Sequence, residues 1–109
     1  MSKIKLGEVK EFEWDEANIE HIAKHNVIPR EAEEVFFDKN NALNEDIKHS
    51  TTEVRFLIIG KTKKGRLLYQ VFTIRGGKMS KALLRIRVIS SRNINKKEVG
   101  LYEEETSGS

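Results

Sequence analysis

The stretch Val54 to Arg75, VRFLIIGKTKKGRLLYQVFTIR, decides the fold. Two runs rich in β-branched, aliphatic and aromatic residues flank Lys63-Lys64-Gly65, a pattern that predicts an antiparallel hairpin of Val54 to Thr62 closed onto Arg66 to Arg75. In its second arm Leu67, Tyr69, Val71 and Thr73 share one face with Arg75. Gly76-Gly77 marks the next reversal. Leu83 to Ser91 follows as a third strong strand, with Leu84, Ile86 and Val88 facing inward if one side of the sheet is covered. Arg85 and Arg87 then point outward together, about 7 Å apart, close to the spacing of consecutive phosphates along a nucleic-acid strand.

Upstream of the hairpin, Ala42 to Ile47 reads as a weaker strand after a loop built on Asp38 to Asn41. Before that loop the period is helical. Glu11 to Trp14 alternates polar and apolar residues, which suits a short strand or an extended lead-in. Asp15 is placed to cap a helix, with Trp14 and Ile19 positioned for a hydrophobic staple and Ile19, Ile22 and Ala23 as the apolar stripe. Asn26 suits a left-handed residue ending that helix, and Pro29 suits the first position of a second one burying Ala32, Val35 and Phe36. Downstream, Asn93 to Glu104 predicts a last helix with Ile94, Val99, Leu101 and Tyr102 as its apolar positions, and Glu103 to Ser109 reads as an unstructured tail. The whole is a single α+β domain: two N-terminal helices, an antiparallel meander of about four strands and a C-terminal helix, with the helices on one sheet face and the other face left for a ligand.

Charge is segregated along the chain. Arg55 to Lys97 holds thirteen Lys and Arg and no Asp or Glu, although the net charge of the 109 residues is only +3. Residues 1 to 54 carry thirteen acids against seven bases. An ordered basic segment of that length points to a polyanionic partner, nucleic acid first. The absence of cysteine excludes disulfides and thiolate metal sites, no run approaches the ~18 apolar residues of a membrane span, and Met1 to Lys10 has no secretory pattern, so a cytoplasmic location is expected.

Arg66, Arg75, Arg85, Arg87 and Arg92 are the informative cations, because a guanidinium fork binds phosphate bidentately and does not lose its charge. Lysines 61, 63, 64, 78 and 81 fall at strand ends and turns, where solvated charge is the plain explanation. With only Tyr69 and Phe72 as aromatic residues in the basic region, a base-stacking platform is poorly supported. His21 and His25 stand one helical turn apart, as zinc ligands do, but Ile22 takes the place of a metalloprotease glutamate and the remaining His49 lies in another segment, so no metal is expected. His25 is instead a candidate acid or base, beside Lys24. Glu53, two residues before Arg55, is either half of a surface ion pair or a carboxylate at the rim of a positive surface, able to deprotonate a ribose hydroxyl.

Several segments taken in order carry a family resemblance. They are Phe12-Glu13-Trp14-Asp15, Lys24-His25 with Val27, Glu31 to Phe36, Asp46 with His49, Glu53-x-Arg55 ahead of Ile59-Gly60, Gly65-Arg66-x-Leu68, Thr73-x-Arg75, Arg85 to Arg92, and Glu98 with Tyr102. Together they resemble the BrnT toxins of bacterial type II toxin-antitoxin pairs. His21, Asn26 and Val99 depart from the residues common there, and the connection from Gly76 to Arg85 is longer than usual. The resemblance implies a RelE-like ribonuclease fold, cleavage of RNA without metal or other cofactor, and neutralisation by a small antitoxin of the ribbon-helix-helix type, through which alone operator DNA is bound. It implies Lys24, His25, Glu53, Arg75 and Arg87 as catalytic candidates, with Glu53 or His25 as base and Arg75 and Arg87 as phosphate stabilisers. Arg55, Arg66, Arg85 and Arg92 would hold the RNA backbone. The competing expectation is a non-catalytic nucleic-acid-binding or antitoxin-binding module on the same scaffold.

Overall fold

The computed structural model describes residues 11–46, 53–76 and 84–107, with the side chains of 104–107 left aside. His49, Gly77, Lys78, Lys81 and Leu83 lie outside the described residues. The order is β1 (Glu11–Phe12), α1 (Glu16–Ala23), α2 (Pro29–Phe36), β2 (Ala42–Glu45), β3 (Phe56–Lys61), β4 (Leu67–Arg75), β5 (Arg85–Asn93) and α3 (Lys96–Ser107). The sheet runs β1-β5-β4-β3-β2. The expected antiparallel meander is present as β2 to β5, and the lead-in adds a fifth strand, β1, parallel to β5 with Phe12 opposite Ile86. Among the described residues no helix is long and apolar enough to cross a membrane.

Local chemistry explains the boundaries. Asp15 has extended backbone and accepts from Asn18 N at 3.1 Å, while Asn18 Oδ1 accepts from Asp15 N at 2.7 Å, a reciprocal cap of α1. Asn26 closes the helix at φ 59°, and Pro29 opens α2 with its φ already helical. The β3–β4 turn is held by Thr62, whose backbone N–H donates to Arg66 O at 2.8 Å and whose hydroxyl accepts from Arg66 N at 3.0 Å, with Gly65 supplying φ 90°. Gly60 sits where α2 crosses the sheet: a Cβ there would stand 2.8 Å from Val35 Cγ1.

The main core lies between α1, α2 and one sheet face. Ile22, Val27, Ala32, Val35, Phe36, Ile58, Leu68, Phe72, Ile86 and Val88 form it. Phe12, Phe36, Phe72 and Phe56 form a chain of ring contacts from β1 through α2 to β3, with centroids 4.9 to 5.4 Å apart. Burying a ring such as Phe72 contributes about 1.5–3 kcal/mol. Within this core a polar line is satisfied: Ser91 Oγ donates to Gln70 Oε1 at 2.7 Å, and Gln70 Nε2 donates to Ala32 O at 3.1 Å.

Three expectations are corrected. The stripe of α1 is not Ile19, Ile22 and Ala23: Ile19 and Ala23 are exposed, and Asn18 takes the inward place, donating to Glu13 O and Val88 O. A short polar side chain wins there because it ties the β1–α1 corner to β5. The third helix starts at Lys96 rather than Asn93 and continues through Ser107, so most of the expected tail is helical. Nor do all helices share one side. Tyr102 packs with Ala42, Ile59, Leu67, Tyr69 and Ile94 on the face opposite α1 and α2, so α3 covers one end of the face expected to be open.

Candidate nucleic-acid interface

The other end of that face holds the arginines. Arg75 and Arg85 stand opposite each other across β4 and β5, as do Thr73 and Arg87. The sheet register therefore sets three guanidinium groups side by side. Their anion is the Glu13 carboxylate, which accepts from Arg85 Nε at 3.1 Å, Arg87 Nη1 at 3.2 Å and Arg75 Nη1 at 3.3 Å. Glu13 reaches them because its N–H donates to Ile86 O at 2.8 Å, continuing the β1–β5 pairing. Arg87, the most buried of the three, also donates to Asp15 at 2.9 and 3.2 Å. This bond holds the Asp15 carboxyl below its usual range, helped by the Asn18 N–H, and Asp15 in turn raises the Arg87 guanidinium.

Glu53 joins the group from the β3 side. Its carboxylate lies 3.7 Å from Arg75 Nε, and the adjacent Val54 carbonyl accepts from the buried Thr73 hydroxyl at 2.8 Å, which fastens this segment to β4. Arg55, the next residue but one, is half-buried just before β3, and its carbonyl accepts from Asp46 N at 2.7 Å.

Lys24 and His25 are elsewhere. They are exposed at the C-terminal end of α1, whereas Arg87 is tied to Asp15 at its N-terminal end. Eight helical residues separate the two by about 12 Å along the axis. Arg66 belongs to the Lys24-His25 end: its guanidinium donates to Asn26 O at 2.6 Å, His25 O at 3.0 Å and Asn93 Oδ1 at 2.7 Å, and pairs with Glu31 at 3.1 Å. It clamps the last carbonyls of the helix turn, where a cation is electrostatically favoured.

Arg92 lies under α3. It donates to both oxygens of Glu98, at 2.8 and 2.7 Å, with its guanidinium carbon 4.1 Å from the centre of the Tyr69 ring. The paired Arg92 lowers the Glu98 carboxyl, and burial raises the Tyr69 phenol. A break in alternation puts Arg92 on this face. Phe72 pairs with Val88 but Val71 pairs with Ser90, so β5 carries one extra residue, Ile89. Strict alternation would have turned Arg92 toward α2.

Every arginine singled out from the strands is thus answered by an acid from outside the basic segment. Charge separated along the sequence is interleaved in space. The sequence pattern did not identify Glu13 and Asp15 as partners of the arginines; their signal was the alternation in Phe12-Glu13-Trp14-Asp15, which turns Glu13 away from the side of Phe12. A groove of about 730 Å³ between α2 and the β3–β4 turn, lined by Arg30, Glu33, Phe37 and Lys61 among others, contains none of the expected site residues. Among the described residues no group of three or more His, Asp or Glu is placed to hold a metal ion.

Five strands with helices on both faces, carrying a cluster of arginines paired with carboxylates on the end of one face that no described helix covers, define a small α+β fold. The family described as the ribonuclease toxin BrnT of type II toxin-antitoxin systems matches residues 14–98, and the chain belongs to that family. Its class is thereby that of ribonuclease toxins, with RNA and an antitoxin as the partners the family implies. No curated protein matches the chain.

Proposed function

We propose that this member cleaves RNA without a metal ion, in the cytoplasm, and is held inactive by a cognate ribbon-helix-helix antitoxin that alone contacts operator DNA. The observation that carries the proposal is the convergence of Arg75, Arg85 and Arg87 with Glu53 on an end of the sheet that no described helix covers. Fixed guanidinium donors placed where charge develops on a phosphorane stabilise it without reorganisation.

In the proposed reaction a base takes the proton of a ribose 2′-hydroxyl and the 2′ oxygen bonds to phosphorus. The bond from phosphorus to the 5′ oxygen then breaks, and that oxygen leaves with a proton supplied by an acid. Glu53 fits the base, because its carboxylate is beside Arg75, whereas His25 stands a helix length away. Arg75 and Arg87 answer the phosphate charge. Arg85 and Arg55 hold the flanking backbone. Lys24 and His25, at the far end of α1, contact RNA beyond the scissile bond, and Arg66 and Arg92 add positive potential while their forks hold Glu31 and Glu98.

The test is incubation of the purified protein with total RNA in excess chelator, beside Arg75→Ala and Glu53→Gln. Cleavage that survives chelation and falls about 10²–10³-fold in each variant supports the mechanism. RNA that stays intact but bound, with affinity falling steeply in salt, would replace it with the non-catalytic binding module.

A further inference from the structure

We propose that the Glu13 carboxylate occupies, in the free protein, the seat of one RNA phosphodiester, and that binding displaces it from Arg75, Arg85 and Arg87. This rests on the ribonuclease proposal for the identity of the incoming group. The seat itself rests on geometry.

Glu13 is outnumbered. Three guanidinium groups share its two oxygens through single contacts of 3.1 to 3.3 Å, none of them a two-pronged fork. Each guanidinium therefore keeps further N–H donors of its planar set available to another acceptor. The structural pair Arg92–Glu98 is built differently, with two bonds of 2.7 and 2.8 Å and an aromatic face against the guanidinium. Arg87 also has an anchor that survives loss of Glu13, its two bonds to Asp15. Arg75 and Arg85 are open to solvent, at 44% and 35% exposure, and the Glu13 side chain itself is 24% exposed. A phosphodiester offers what the carboxylate offers, two equivalent anionic oxygens. It meets the same three donors from the solvent side. Because Glu13 follows a two-residue edge strand, its side chain can turn away without breaking the sheet.

The experiment compares wild type with Glu13→Gln and Glu13→Asp in two titrations at fixed ionic strength. Inorganic phosphate is followed by the thermal midpoint, and a 2′-O-methyl oligoribonucleotide, which cannot be cleaved, by fluorescence anisotropy. Glu13→Gln is expected to bind phosphate about tenfold more tightly than wild type, with a lower midpoint that phosphate restores, and the gain should vanish when Arg85→Ala is added. Glu13→Asp, with its carboxylate drawn back by one methylene, should gain less. Equal or weaker phosphate binding by both variants, with native circular dichroism, overturns the seat. Tighter phosphate binding without tighter oligonucleotide binding upholds the seat and overturns RNA as its occupant, which also tells against the ribonuclease proposal.

Discussion

Arg87 donates two hydrogen bonds, of 2.9 and 3.2 Å, to Asp15, the residue that caps α1. One carboxylate thus serves the helix start and the arginine cluster at once, and the two duties can be separated. Asn caps a helix about as well as Asp, so Asp15→Asn keeps the cap and at neutral pH should lose only what the charged bond to Arg87 contributes. It should also cut RNA cleavage severalfold by loosening Arg87. Asp15→Ala loses the cap as well and should melt about 5 °C lower. Differential scanning calorimetry beside cleavage rates checks both.

Arg66 binds carbonyl oxygens of His25 and Asn26, side-chain oxygen of Asn93 and the Glu31 carboxylate. Hydrogen bonds to a charged donor of this kind are worth about 1.5–3 kcal/mol. Arg66→Ala should lose roughly that much in urea unfolding. Its effect on the salt dependence of RNA binding should be smaller than that of Arg75→Ala, whose guanidinium is more exposed.

Gln70 is fully buried and links Ser91 to the Ala32 carbonyl. Truncation leaves both without a partner and opens a cavity under α2. Gln70→Ala should cost about 2–4 kcal/mol by chemical denaturation, far more than an exposed glutamine would.

Glu98 titrates below the ordinary glutamate value of 4.5 because Arg92 bonds its charged form, aided by the Asn95 N–H. A carboxyl lowered in the folded state adds stability that is present above its unfolded value and lost as pH falls through the folded one. The melting midpoint of wild type should therefore exceed that of Glu98→Gln at neutral pH. The difference should shrink below about pH 4.5, and a gap constant with pH would show that Arg92 does not lower Glu98.

The hairpin arms, the two N-terminal helices and the outward pair Arg85 and Arg87 were legible in the sequence because they are local. Alternation, Pro29, Asn26 and Gly65 act within a few residues, and apolar periodicity says which side a residue faces. The same rules misread α1, where Asn18 displaced Ile19 because its amide bridges to Val88, seventy residues away. They gave no account of where the acids would go.

Sequence alone therefore determined the elements, their order and the presence of an excess of cations on the late strands. Tertiary structure decided that Glu13 sits among Arg75, Arg85 and Arg87, that the extra residue Ile89 turns Arg92 onto their face, and that Lys24 and His25 stand apart. Backbone preference and hydrophobic period are properties of neighbours in the chain. Ion pairs and strand register depend on which distant segments meet, and here β1 meets β5 across the length of the domain.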